Sequence, residues 1–186
     1  MTDYAHNAND LSPLMTANNA PSPLVLSVSS EYNSSYMAYK AFDHAGGSGW
    51  FTTSGVATGW IQIYSGGPLW QVTSYTICTP VSTVIACPKD FILYGSFDGS
   101  NWTQLDSRTN ETSWGASEMR TYSIASPGNY KYYKLSISAI NGGTYAGVGE
   151  LELIGTVVTM QIPSCYFLSN RDRFNLEPVS KYNQLA

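Results

Sequence analysis

Catalysis needs a nucleophile beside a base, two carboxylates held together, or a metal with an open coordination position. The residues for most of these are scarce in this chain. Histidine occurs twice, at His6 and His44, and neither lies in an H-E-x-x-H segment. No G-x-S-x-G turn or phosphate-cradling glycine loop occurs either. The three cysteines, Cys78, Cys87 and Cys165, have no spacing to one another or to His44 that suits a metal. Carboxylate pairs assembled by folding leave no mark in a sequence and stay open; otherwise no enzymatic activity is expected. What the chain has in quantity is the chemistry of neutral recognition, with 14 tyrosines and 5 tryptophans among many Ser, Thr, Asn and Gly residues. Aromatic faces cover the C–H surface of a ligand, while amides and hydroxyls exchange hydrogen bonds with its polar groups.

The balance of charge narrows the partners. Charged residues make up 12% of the chain, against 13% aromatic. Helical proteins need more Glu, Lys and Arg on their solvent faces, so the composition suits an all-β protein with a neutral surface. A net charge of −4 argues against nucleic acid, which requires a basic face. Anionic membranes want a Lys/Arg cluster, and none is present. No apolar run approaches the roughly 20 residues of a membrane span, and MTDYAHNANDLSPLM carries no signal-peptide pattern. Free buried thiols are expected for the cysteines, with a Cys78–Cys87 bridge as the alternative. Asn33, Asn101 and Asn110 stand in N-x-[ST] sequons, read here as accidents of composition.

The elements that must position any site read as strands. Turn signals recur every 8–15 residues between Trp60–Tyr64, Thr73–Cys78, Phe91–Gly95, Thr103–Asp106, Arg120–Ile124, Tyr133–Ile137 and Leu151–Ile154, with Leu24–Val28 opening the sheet. Ile61 and Ile63 alternate with Trp60, Gln62 and Tyr64; Leu135 and Ile137 alternate with Lys134, Ser136 and Ser138. That one-sided pattern belongs to antiparallel sheets stacked face to face. No 3.6-residue apolar period is sustained. The expectation is an all-β, antiparallel jelly-roll β-sandwich. Ser34 and Ser35 are read as the cap of a short helical turn at YMAYKAF. The first residues are read as an extended arm. After Gly155 the chain changes character, and CYFL at 165–168 is apolar enough to need a partner surface.

Five segments in order carry a resemblance: SSEYNSSYMAYKAFD (29–43), GWIQIYSGG (59–67), PKDFILYGSFDGSNW (88–102), YKYYKLSISAINGG (130–143) and GELELIG (149–155). In the third, Asp98-Gly99 supplies the positive-φ turn between two strands. Together they resemble the discoidin domain, the C-type domain of coagulation factors V and VIII, and the related family 32 carbohydrate-binding modules. The versions carried by tailed-phage virion proteins are the most similar.

The resemblance implies a galactose-binding-domain-like sandwich over 14–156, between an N-terminal arm, 1–13, and a C-terminal arm for assembly contacts, 157–186. It also implies a structural calcium held by the Lys40 carbonyl, Asp43, Ser48 and Glu150. Ala45 and Gly149 are able to add carbonyls, a set that suits a hard cation. Ligand loops fall at His44–Thr58, Thr79–Cys87, Thr112–Ala116 and Ile140–Val148, and none contains Lys or Arg. Within them His44, Trp114, Asn141 and Tyr145 are the expected carbohydrate contacts. The implied function is non-catalytic attachment of a virion, from tail or capsid exterior, to host cell-surface polysaccharide. Other virion proteins and further copies of the chain are the implied partners. The other reading is a purely structural virion subunit, such as a decoration, collar or tail component, with the sandwich as scaffold.

Overall fold

The computed structural model describes residues 7–45, 47 and 49–159. Among them are eleven strands. The first six are β1 (Val25–Val28), β2 (Trp50–Phe51), β3 (Gly59–Tyr64), β4 (Leu69–Cys78), β5 (Pro88–Ser96) and β6 (Thr103–Arg108). The remainder are β7 (Met119–Ser123), β8 (Asn129–Tyr130), β9 (Tyr132–Ile140), β10 (Gly147–Val148) and β11 (Glu150–Val158). One sheet has five strands in the order β1-β3-β9-β5-β6. The facing sheet runs β11-β4-β7, with β8 also paired to β4, and β10 pairs β2 in a small ribbon. All pairings are antiparallel.

The alternation seen in sequence sets the faces. Ile61, Ile63, Leu135, Ile137, Phe91 and Leu93 point inward from one sheet, and Val72, Tyr75, Ile77, Leu151 and Leu153 from the other; all are buried. The layers are tied by polar groups as well. The Tyr133 hydroxyl, on β9, donates to the Trp70 carbonyl at 2.6 Å and accepts the Val72 N–H at 3.3 Å, both on β4. Tyr75 on β4 donates to Asp106 on β6 at 2.7 Å. Removed from water, such groups remain only because each has a partner.

The β5–β6 hairpin follows from Asp98-Gly99. Gly99 has φ +76°, which a side chain would resist. The Asp98 carboxylate accepts hydrogen bonds from the backbone of Ser100 and Asn101. Those bonds hold its pKa well below the usual carboxylate range.

Other local features differ from the sequence expectation. The helical turn exists as a 3-10 turn, Ala38–Ala41, but no side chain caps it from Ser34 or Ser35. Glu31 does that work, its Oε1 accepting the Ala38 N–H at 2.8 Å. Residues 9–11 of the N-terminal arm run along the free edge of β11. The Leu11 N–H donates to the Leu153 carbonyl and the Gly155 N–H to the Asn9 carbonyl. Pairing in this way protects an edge that would otherwise recruit strands from elsewhere. Met15 is buried in the core. Cys78 and Cys87 are buried and are not bridged to each other. His6, Ser48, Cys165 and the CYFL segment lie outside the described residues.

A bulge between Ile154 and Gly155 lets β11 keep pairing with β4 as far as Val158. A Cβ on Gly155 would come within 2.0 Å of the Gln71 carbonyl oxygen, which is backbone and cannot rotate away. Gly155→Ala is therefore expected to cost about 2 kcal/mol, measurable as a lower urea midpoint at unchanged slope.

Candidate functional site

At one end of the sandwich the connections between strands bring four aromatic rings together. β2 contributes Phe51, whose partner in the ribbon is Gly147 of β10. A Cβ at position 147 would sit 2.2 Å from the Phe51 ring, so glycine there is what admits the ring. Tyr145 precedes β10, and Tyr32 and Tyr36 come from the connection between β1 and the 3-10 turn. Centroid separations of 5.9, 4.9, 5.5 and 5.3 Å close the circuit Tyr32–Tyr36–Phe51–Tyr145, every pair edge to face. With Thr83 from the β4–β5 connection these residues line a cavity of about 120 Å³. Phe51, 5% exposed, is its floor, while Tyr32 and Tyr36, 41% and 37% exposed, stand as walls. Among the described residues no charged side chain lines it.

The walls are held from beneath. Buried Trp50 donates its indole N–H to the Ser30 carbonyl at 2.9 Å. The Thr53 N–H donates to Ser30 Oγ, and the Thr53 hydroxyl to the Glu31 carbonyl. Glu31 in turn accepts from Asn18 Nδ2 and the Ala38 N–H through one oxygen. The Tyr32 N–H donates to the Phe51 carbonyl at 2.9 Å. Backbone held this way loses little further freedom when a ligand arrives.

Of the four expected carbohydrate contacts, Tyr145 lines this cavity and the other three do not. Trp114 belongs to the hydrophobic core at 7% exposure. Its indole N–H is committed to the Pro88 carbonyl at 3.0 Å. One ring face is covered by the Arg120 guanidinium, 3.9 Å from the centroid. A basic group thus reaches the Thr112–Ala116 loop from β7, although the loop itself contains none. Asn141 spends its amide on the carbonyls of Cys87 and Glu111. His44, at φ +53°, faces Asp10, its Nε2 3.6 Å from Oδ2. Sequence reasoning passed over Tyr32, Tyr36 and Thr83. The available signal is the close spacing of two tyrosines within 29–43, a segment that carries the resemblance and that otherwise reads as a serine cap and a short helical turn.

The expected metal residues form a second, buried locus. Asp43 Oδ1 and Glu150 Oε1 both accept the Ala45 N–H at 3.1 Å. Asp43 Oδ2 pairs with the Lys40 ammonium at 3.0 Å. Glu150 is 2% exposed, and its Oε2 is buried without a hydrogen-bond partner. Burial, reinforced by the Asp43 charge, pushes the Glu150 carboxyl up to about 10. Burial likewise pushes Asp10, close by, up to about 6, against the hydrogen bonds it accepts from Leu153 and Ser12. Among the described residues no group of three or more His, Cys, Asp or Glu side chains is placed to hold a metal. Two carboxylates sharing one N–H, one of them with a buried oxygen that no hydrogen bond claims, are oxygen donors of the kind a hard cation takes.

The wider comparisons agree with this architecture. The peptide-N(4)-(N-acetyl-β-glucosaminyl)asparagine amidase of Arabidopsis thaliana is 30% identical over 156 residues, which is 79% of this chain but 21% of that protein. The chain therefore spans about a fifth of the curated relative it matches. Among solved structures, the Clostridium perfringens module CpGH89CBM32-5, in complex with GalNAc-β-1,3-galactose, superposes with a TM-score of 0.60 at 18% identity. The match covers 71% of this chain and 95% of that one. Chitosan-binding module 1 from the chitosanase/glucanase of Paenibacillus sp. IK-5 gives 0.61 at 20% identity, covering 81% and 100%. At such identities the likeness establishes the fold. The family model of the F5/8 type C domain matches residues 25–151. With strand order, core and sequence in agreement, the chain belongs to the F5/8 type C, or discoidin, domain family.

Proposed function

We propose that this protein binds carbohydrate without catalysis, and that the Tyr32–Tyr36–Phe51–Tyr145 cleft is where it does so. The observation that carries the reading is the cleft itself: exposed rings around an apolar floor, uncharged, at the loop end of the sandwich. Sugars offer C–H faces to such rings and hydroxyls to the tyrosine OH groups and Thr83. Structural relatives bound to GalNAc-β-1,3-galactose or named for chitosan support the ligand class. Neither buried cysteine suits a nucleophilic role. Burial pushes the Cys87 thiol up to about 12, far from the thiolate form at neutral pH.

The finer reading is attachment of a phage particle to host surface polysaccharide, with the chain repeated in the virion. The sequence resemblance supports it. One shallow sugar site gives an affinity of about millimolar, or ~4 kcal/mol, so useful adhesion requires many copies acting together. The scaffold reading has one observation in its favour. Phe97, 59% exposed, rims a groove with Leu69, Val158 and Lys131 where β11 ends, the Lys131 ammonium 4.8 Å from its ring centroid.

Calcium is proposed as a structural ion held by the Asp43 and Glu150 carboxylates with the Lys40 carbonyl and Ser48, leaving the binding loops anchored at their base. Bound there, it would supply positive charge to Glu150, which among the described residues has no basic partner of its own, beside the Lys40 ammonium that already faces Asp43.

Trp114 and Tyr145 separate packing from binding. Trp114→Ala is expected to lose about 3 kcal/mol of stability, because a core ring, its hydrogen bond and its Arg120 contact all go. Tyr145→Ala is expected to melt close to wild type while losing glycan binding. Thermal unfolding and a glycan screen on multivalent protein check both. A Trp114→Ala protein as stable as wild type, or a Tyr145→Ala protein that binds normally, contradicts this assignment.

A further inference from the structure

The make-up of the cleft says more than its shape. A sugar ring presents hydroxyls in several directions, and each one that enters a cleft and finds no partner there is costly. The cavity offers the phenol groups of its walls and the Thr83 hydroxyl, and otherwise aromatic carbon. Its volume of about 120 Å³ suits a compact group rather than a whole oligosaccharide. Aromatic faces carry negative electrostatic potential, and several rings around one point attract an ammonium ion, most strongly a methylated one that sheds water easily. Among the described residues neither Lys nor Arg lines the cavity, so no described side chain there repels a cation. The net charge of −4 adds a weak field of the same sign.

We infer that the Tyr32–Tyr36–Phe51–Tyr145 circuit recognises an organic ammonium group, carried on a glycan as an amino sugar or as a choline substituent. The inference rests on the reading of this cleft as the glycan site. The four rings surround the cation, Phe51 beneath it, and the attached sugar lies over the exposed edges of Tyr32 and Tyr36.

The test is calorimetric titration of the full chain with choline and with 3,3-dimethylbutan-1-ol, which has the same shape without the charge. Glucosamine hexamer, its N-acetylated counterpart and galactose are titrated in parallel. Choline is expected to bind at least tenfold more tightly than the neutral alcohol, and glucosamine hexamer more tightly than the acetylated form. The two cationic ligands distinguish a choline substituent from an amino sugar. Tyr36→Leu and Tyr32→Leu keep apolar bulk at the walls but remove the π face. Each is expected to weaken choline binding about fivefold or more with little change in melting temperature. Equal binding of choline and its neutral analogue, together with no preference for glucosamine hexamer over the acetylated form, overturns the inference. If galactose or the acetylated oligomer binds without any preference for charge, the glycan reading stands and the cation inference falls. If choline alone binds and no sugar does, the cleft prefers the cation but the glycan reading falls, and the glycan-borne form of the inference falls with it. Failure of all ligands removes both.

Discussion

Replacing Trp50 with alanine is expected to lower stability by about 4 kcal/mol, or roughly 10 °C in melting temperature for a chain of this size. Trp50 is fully buried in the hydrophobic core and pairs across the ribbon with Val148. Its indole N–H is the donor that holds the Ser30 carbonyl, two residues before Tyr32. The loss is therefore not confined to a cavity. It also releases the segment that carries two walls of the cleft, so ligand binding should fall together with stability. Trp50→Phe keeps most of the bulk but leaves the Ser30 carbonyl without its indole partner. A loss of about half that size is expected from it. Guanidinium unfolding of the three proteins measures this, and an alanine variant with an unchanged midpoint contradicts the packing described above.

Glu150→Gln is expected to act in opposite directions with and without calcium. The Glu150 carboxyl is raised from 4.5 to about 10 in the folded protein. Between those values the native state holds a proton that the unfolded chain has released, so stability falls as pH rises through that window. Asp10, raised to about 6, contributes the same sign over a narrower range above its ordinary 3.8. A glutamine at 150 has no proton to hold. Calcium-free Glu150→Gln protein should therefore be more stable than wild type at pH 8, by on the order of 3 kcal/mol, with the difference nearly gone at pH 5. Added calcium should stabilise wild type, through preferential binding to the folded state, and leave Glu150→Gln and Asp43→Ala unmoved. Melting curves at two pH values with chelator and with calcium decide the matter. A flat pH response together with no calcium response contradicts the description of this locus.

Much of the fold was legible because long strands leave long patterns. The two-residue period at Trp60–Tyr64 and Tyr133–Ile137 gave both strands and faces, and Asp98-Gly99 gave the hairpin. Strands of two residues, Trp50–Phe51, Asn129–Tyr130 and Gly147–Val148, are too short to show a period. Two of them build the floor of the cleft. Trp114 was misplaced because its loop position suggested exposure, whereas the Pro88 carbonyl and Arg120, distant in sequence, turn its ring inward. Asn141 looked like a ligand amide for the same reason, although two backbone carbonyls claim it. Asp43 and Glu150, 107 positions apart, were placed together by resemblance, and the fold brings them to one backbone N–H. The pinning of Asn9 and Leu11 to β11 had no sequence signal, since an edge strand of this kind is held by backbone groups that every residue has.

Glycan recognition at the tyrosine cleft is the central claim, and the most direct measurement follows the tyrosine ring resonances by NMR while a panel of glycans is titrated in. At least one glycan is expected to shift the rings of Tyr32, Tyr36 and Tyr145 while leaving Tyr75 and Tyr133, buried between the sheets, unmoved. Tyr36→Ala should weaken that ligand about tenfold or more and melt within a few degrees of wild type. Binding that leaves the three cleft tyrosines unshifted, or a panel in which no glycan binds at millimolar concentration, contradicts the account.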